Sequence, residues 1–148
     1  MFDKVPCIFC SLPDYRIIDA SSFGVVIRDG FPISPGHTLV ISKRHVASFF
    51  HLTADEREDL LMLADRAKAG LDAEFKPDGY NIGINDGAAA GQTVMHLHIH
   101  MIPRFIDDRP NPISSRVSWA SALLTLRTLA AGSAIDAFMI CCAQSFLG

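Results

Sequence analysis

The chain has 148 residues, a formal net charge of -3 at pH 7 and a pI near 6.0. That length suits one domain of roughly 100 to 200 residues built on one core. The acidic balance excludes a broad basic surface of the kind that holds nucleic acid by counterion release, while leaving room for a basic pocket around one small anion.

From Met1 to Pro6 the chain runs straight into Cys7, with no apolar stretch resembling a signal-peptide core, so a cytoplasmic protein is expected. In a reducing compartment the pair Cys7-x2-Cys10 is expected to bind metal or to act in catalysis rather than to form a structural disulfide. By spacing alone it is half of a zinc site, which needs two more ligands; two reduced cysteines buried in an apolar arm are the alternative.

Phe23 to Ile27 is apolar and β-branched, then meets Asp29-Gly30 and Ser34-Pro35-Gly36 before Thr38 to Ile41 resumes the pattern. These features predict two short strands joined by a turn-rich loop. Thr53 followed by Glu56 is a capping box, and Leu60, Leu61, Leu63, Ala64 and Ala67 give an apolar side to one helix ahead of Gly70. Tyr80, Ile82 and Ile84 alternate with Asn81, Gly83 and Asn85, and after a Gly- and Ala-rich loop His96 to Met101 alternates again, which predicts two further strands. The expected class is α+β, an antiparallel sheet with one principal helix.

In His96-Leu97-His98-Ile99-His100-Met101 the period-2 rule puts three imidazoles on one face and three apolar side chains on the other. A solvent-facing strand that happens to carry histidine is the bland alternative, and a metal site is the sharper one. In a straight strand, however, His96 and His100 stand about 13 Å apart, too far for both to reach one zinc ion. One or two of the row could be ligands, leaving the others for chemistry. A neutral imidazole is a competent nucleophile near pH 7, and a protonated neighbour can donate to phosphate oxygens. Upstream, Asn85-Asp86-Gly87 and Gly91-Gln92-Thr93 form a loop of small residues that could bring backbone N–H groups close to an anion, although a plain hairpin turn accounts for them as well.

The run from Gly91 to Arg104, with Pro35 to Ile41 and Lys43 to Val46, resembles the histidine triad family over about Cys7 to Phe105. The resemblance implies a sheet of about five antiparallel strands with one principal helix in a domain of residues 1–106. It also implies cleavage at the α-phosphate of a dinucleoside polyphosphate or nucleoside phosphoramidate through a nucleotidyl-histidine intermediate on His98. His100, Gln92 and Thr93 would then bond the phosphate or the leaving-group bridge, the Gly91 backbone would hold developing charge, and Asn85 would lie near phosphate and ribose. Asp29 resembles an acidic residue that accepts from the ribose hydroxyls; a turn-forming Asp before Gly30 is the equal alternative. For attack, the remaining ring nitrogen of His98 must donate to a backbone carbonyl. In a subset of the family a structural zinc is held by residues matching Cys7, Cys10, His45 and His96, and the resemblance further implies a homodimer. Ser42 stands where the family commonly has Pro. His37 and His51 receive no role and are expected at the surface or in caps.

After Phe105 the resemblance ends. Residues 107–148 form an atypical segment in which Val117 to Leu147 is rich in Ala and Leu, and Arg127 and Asp136 interrupt the run, which argues against a membrane span. The mean hydropathy of +0.25 suits a helical segment docked on the body or on a second subunit, with Cys141 and Cys142 as core or contact residues. Two other functions fit the same residues. One is a nucleotide-binding adaptor with negligible turnover; the other is a metal-dependent hydrolase using two histidines of the row with Asp or Cys.

Overall fold

The structure, a computed structural model, describes residues 7–108. The expected C-terminal helical segment, with Cys141 and Cys142, lies outside the described residues, and the expected boundary between residues 106 and 107 falls inside the last described turn, Ile106–Asp108. Five strands, β1 (Ile17–Ala20), β2 (Gly24–Arg28), β3 (Thr38–Ser42), β4 (Gly79–Gly83) and β5 (His98–Arg104), form one sheet in the order β1-β2-β3-β5-β4. Every pairing is antiparallel. One helix, α1 (Ala54–Phe75), packs against it. Among the described residues no helix is long and apolar enough to cross a membrane.

The capping box starts α1 as the sequence predicts: the Thr53 hydroxyl accepts from Glu56 N at 3.2 Å and the Glu56 carboxylate accepts from Thr53 N at 2.8 Å. Leu60, Leu63 and Leu71 share one helical face and are fully buried, each side chain contributing about 1.5–3 kcal/mol by leaving water. Leu61, expected on that face, sits one residue round the helix and is 56% exposed. The helix also continues through Gly70, where nothing lies near the missing Cβ, and stops at Lys76 in the left-handed region (φ 50°). Pro77 accounts for the stop, because its ring drives the residue before it out of the helical region.

Two glycines let α1 approach the sheet. A Cβ on Gly24 would lie 2.5 Å from Leu60 Cδ2 and 2.8 Å from Leu63 Cδ2. Gly36, at φ 83°, turns the chain into β3 directly beneath Phe75. Beneath α1 lie Val26, Val40, Leu97, Ile99 and Met101; on the opposite face Val25, Ile27, Leu39 and Ile41 are covered by Phe9 and Leu12 of the N-terminal arm and by Ile17 of β1. With both faces covered, β3 is buried at all five positions and lacks the alternation of a one-sided strand.

Two strand expectations change. β1 has no clear alternation in Ile17-Ile18-Asp19-Ala20 and exists through its pairing with β2, with a register shift between Ile17 and Asp19. The last strand begins at His98, not His96. Leu97 N donates to Val46 O (2.6 Å) while Leu97 O accepts from Ser42 N (3.3 Å), so this residue bridges two segments instead of entering the ladder. At its other end β5 runs on to Arg104, which pairs with Gly79 of β4.

Candidate active site and metal centre

β5 lies between β3 and β4, with Ile41 opposite His98, Val40 opposite Ile99 and Leu39 opposite His100. Because side chains alternate, Ile99 and Met101 go beneath α1 while His98 and His100 take the face that the N-terminal arm covers. Their rings meet edge to face at 4.8 Å between centroids. His98 Nδ1 lies 2.7 Å from the His96 carbonyl oxygen, to which it donates. That bond fixes the tautomer and leaves Nε2 as the ring atom carrying a lone pair.

His37, expected at the surface, is 2% exposed and belongs to this face. Its Nε2 is 3.1 Å from His100 Nδ1, and its Nδ1 is 3.3 Å from both Asp29 Oδ2 and Ile33 N. With the proton on Nδ1, His37 donates to Asp29 and accepts from His100; with the proton on Nε2, it accepts from Ile33 N and donates to His100. Burial, with the proximity of His98 and His37, pushes His100 down to about 3. Burial likewise lowers His37, opposed by the Asp29 carboxylate and reinforced by His98. Both imidazoles are therefore neutral at pH 7. Asp29 also accepts from Phe31 N at 2.9 Å, so the turn-forming role and a place beside the histidines coexist. His51, by contrast, is exposed.

The loop from Asn85 to Thr93 is tied down at both ends. Asn85 Nδ2 donates to Gly91 O (3.2 Å), and Asp86 Oδ2 accepts from Ser48 Oγ (2.8 Å) and Phe49 N (2.9 Å). Gln92 is 4% exposed; its side-chain oxygen accepts from Gly87 N and its Nε2 donates to Ala47 O, each at 2.8 Å. In this arrangement Gln92 braces the loop from inside. The Gly91 N–H donates to Ala88 O at 2.9 Å, and Thr93 is exposed at the loop exit. Gly87 and Gly91, at φ 93° and 87°, supply the left-handed turns around Ala88–Ala90.

Beside the histidines, Cys7, Cys10, His45 and His96 bring four donor atoms within 4.8 Å of one another. The Cys7 Sγ–His96 Nδ1, Cys10 Sγ–His45 Nδ1 and Cys10 Sγ–His96 Nδ1 separations are 3.4, 3.2 and 3.5 Å. A tetrahedral zinc with its usual bond lengths has S···N edges of about 3.6 Å, so this donor set fits the ion. His96 is fully buried, and its Nε2–H donates to Ser42 O at 2.6 Å, which leaves Nδ1 as the ligand atom. Ser42 itself uses its N–H on Leu97 O and its hydroxyl on Arg44 O. Arg44, next to His45, is clamped by the Glu56 carboxylate through Nε (2.7 Å) and Nη2 (2.6 Å).

A family model of the HIT domain matches residues 14–107. The chain belongs to the histidine triad (HIT) family. It is 36% identical over 104 residues to an uncharacterised HIT-like protein of Mycoplasma genitalium, covering 67% of this chain and 73% of that one. It is 47% identical over 73 residues to the bis(5'-adenosyl)-triphosphatase of Dictyostelium discoideum, about half of each protein (49%). A crystal structure of a Zn-bound histidine triad family protein from Mycobacterium smegmatis matches with a TM-score of 0.62 at 31% identity, covering 84% of this chain and 97% of that one. Within this HIT domain the residues that sequence reasoning passed over are His37, Asp86, Arg44 and Phe9. For His37 a signal existed: with Leu39 and Ile41 it continues one face of β3, the face that His98 and His100 occupy once the β3–β5 register is known.

Proposed function

We propose that this HIT protein is a nucleotide hydrolase or transferase that cleaves at the α-phosphate of a dinucleoside polyphosphate or nucleoside phosphoramidate, with His98 as the nucleophile. The observation that carries the reading is the bond from His98 Nδ1 to the His96 carbonyl, which leaves Nε2 as the ring nitrogen available for attack. Nε2 attacks the α-phosphorus, a P–N bond forms, and the bond from phosphorus to the leaving group breaks with its electron pair departing on that group. The cationic ring is held by the carbonyl on Nδ1. Water then attacks phosphorus and gives up a proton to solvent, the electron pair of the P–N bond returns to Nε2, and a nucleoside monophosphate leaves.

His100 bonds the phosphate or the bridging atom, with its proton position set through His37. Asn85, Gly91, Gln92 and Thr93 form the phosphate-side loop, and Asp29 takes the ribose hydroxyls. Cys7, Cys10, His45 and His96 hold a structural zinc, a reading supported by the fit of the donor set and by the Zn-bound relative. Such an ion supplies a cross-link between the N-terminal arm and the sheet. Membership of the family supports a homodimer, and the terminal position of β4 in the sheet, with Ile82 60% exposed, offers an edge for it.

The test is turnover of a diadenosine polyphosphate and an adenosine phosphoramidate by wild type and by His98→Ala, both checked for fold, with mass spectrometry of the quenched enzyme. AMP release by wild type alone, with a nucleotidyl adduct on His98, supports the reading. Tight monophosphate binding with neither turnover nor adduct overturns it in favour of a nucleotide-binding adaptor, and equal rates mean that another residue attacks.

A further inference from the structure

The N-terminal arm connects the metal centre to the nucleophile through a side chain that neither function accounts for. Cys7 to Cys10 is a tight turn closed by Cys10 N donating to Cys7 O at 3.0 Å, so the two thiols fall on one side. Phe9, between them in sequence, lays its ring against the histidines. Its ring centroid is 5.2 Å from that of His98 at an interplanar angle of 66°, and 5.8 Å from that of His96 at 82°. The half-buried ring also packs against the apolar face formed by Val25, Ile27, Leu39 and Ile41.

We propose that Phe9 is a positioning residue for His98, and that a zinc ion on Cys7, Cys10, His45 and His96 sets the orientation of the nucleophile by holding Phe9 against it. The inference rests on His98 as the reacting residue. An imidazole held by one hydrogen bond at Nδ1 can still swing about its side-chain torsions, and a bulky edge-on neighbour removes that freedom. Besides the His100 ring beside it on β5, His98 is restrained by the carbonyl of His96 and the ring of Phe9, and these two are carried by segments that donate metal ligands. The turn bearing Phe9 belongs to no strand; among the described residues the Phe9 ring is held by apolar and ring contacts, and the two thiols beside it in sequence would tie the turn to the metal. Metal occupancy is thereby converted into alignment of Nε2 with the phosphorus, while the residues that hold the nucleotide stay in place.

The test uses the full chain with isotope-labelled histidine, the His98 ring resonances being assigned by their loss in His98→Asn. Wild type is read zinc-loaded and after chelation, then compared with zinc-loaded Phe9→Ala and Phe9→Leu. The expected result is that chelation and Phe9→Ala move the His98 ring signals in the same direction, and that Phe9→Leu, which keeps most of the volume, moves them less. In turnover, Phe9→Ala should lower kcat on the order of tenfold with KM nearly unchanged, the mark of lost alignment rather than lost binding. Unmoved His98 signals in Phe9→Ala, or a raised KM with unchanged kcat, would overturn the positioning role and leave Phe9 as a wall of the pocket. Unmoved signals on chelation would overturn the link to the metal. Because the resonances are read without substrate, a failure of the hydrolase reading stays distinguishable from a failure of this one.

Discussion

His37 and His100, 63 positions apart in sequence, meet ring nitrogen to ring nitrogen at 3.1 Å on the sheet face that carries His98. Both are buried, and both are held neutral by that burial. An unfolded histidine takes up a proton near pH 6.5, whereas folded His100 resists until about 3. As pH falls through that window the unfolded state binds more protons and stability is lost, with His100 contributing at most about 1.4 kcal/mol per pH unit. Urea unfolding at pH 7 and pH 5, in chelator, should show a smaller decline for His100→Gln than for wild type; equal declines would place the charge uptake elsewhere.

Glu56 titrates in a lower window. Arg44 and the Thr53 amide hold its carboxylate down to about 2, against an ordinary value of about 4.3. A depressed acid stabilises the fold above its unfolded pKa and ceases to do so as pH drops, here between about 4.3 and 2. Glu56→Gln should lower the melting temperature at pH 7 and flatten the acid limb of the stability curve. Thr53→Ala, which removes the other half of the capping box, should cost about 1 kcal/mol at all pH values, read by helical circular dichroism on heating.

Removing the metal should separate the two groups of histidines. Elemental analysis of the purified chain is expected to find one zinc, lost in Cys10→Ser and His45→Ala but retained in His98→Ala, because His98 offers no atom to the four-donor cluster. Loss of zinc from His98→Ala as well would mean that the ligand set has been drawn wrongly.

Gln92 tests how the loop is held. Its amide ties Gly87 N to Ala47 O, adding to the Asp86 bonds with Ser48 and Phe49 that join the same two segments. Gln92→Ala should leave a half-buried N–H and a half-buried carbonyl without their partner, costing about 1 kcal/mol of stability, and should raise KM by loosening the Asn85–Thr93 loop. Gln92→Glu keeps the acceptor for Gly87 N but loses the donor to Ala47 O, so an intermediate effect is expected in the same urea and kinetic assays.

Much of the architecture is written locally. The capping box at Thr53 and Glu56, the apolar face at Leu60 and Leu63, and the alternation from His98 to Met101 depend on neighbours within a few residues, so periodicity alone reveals them. The spacing of Cys7 and Cys10 is equally local. β1 was hidden because Ile17-Ile18-Asp19-Ala20 has no clean period and is held by β2, and the length of α1 was understated because an exposed Gly70 costs a long helix only about 1 kcal/mol.

The amino-acid sequence by itself determined which residues could carry the chemistry: a row of imidazoles in alternation, a spaced thiol pair and a loop of small residues. Tertiary structure decided which of them meet. Inserting β5 between β3 and β4 sets Leu39 opposite His100 and so brings His37 onto the face of His98 and His100, while the arm that covers this face carries Cys7 and Cys10 to His96 and His45. Strand order and register depend on burying apolar surface shared by segments far apart in the chain, and nothing within a local window encodes that balance.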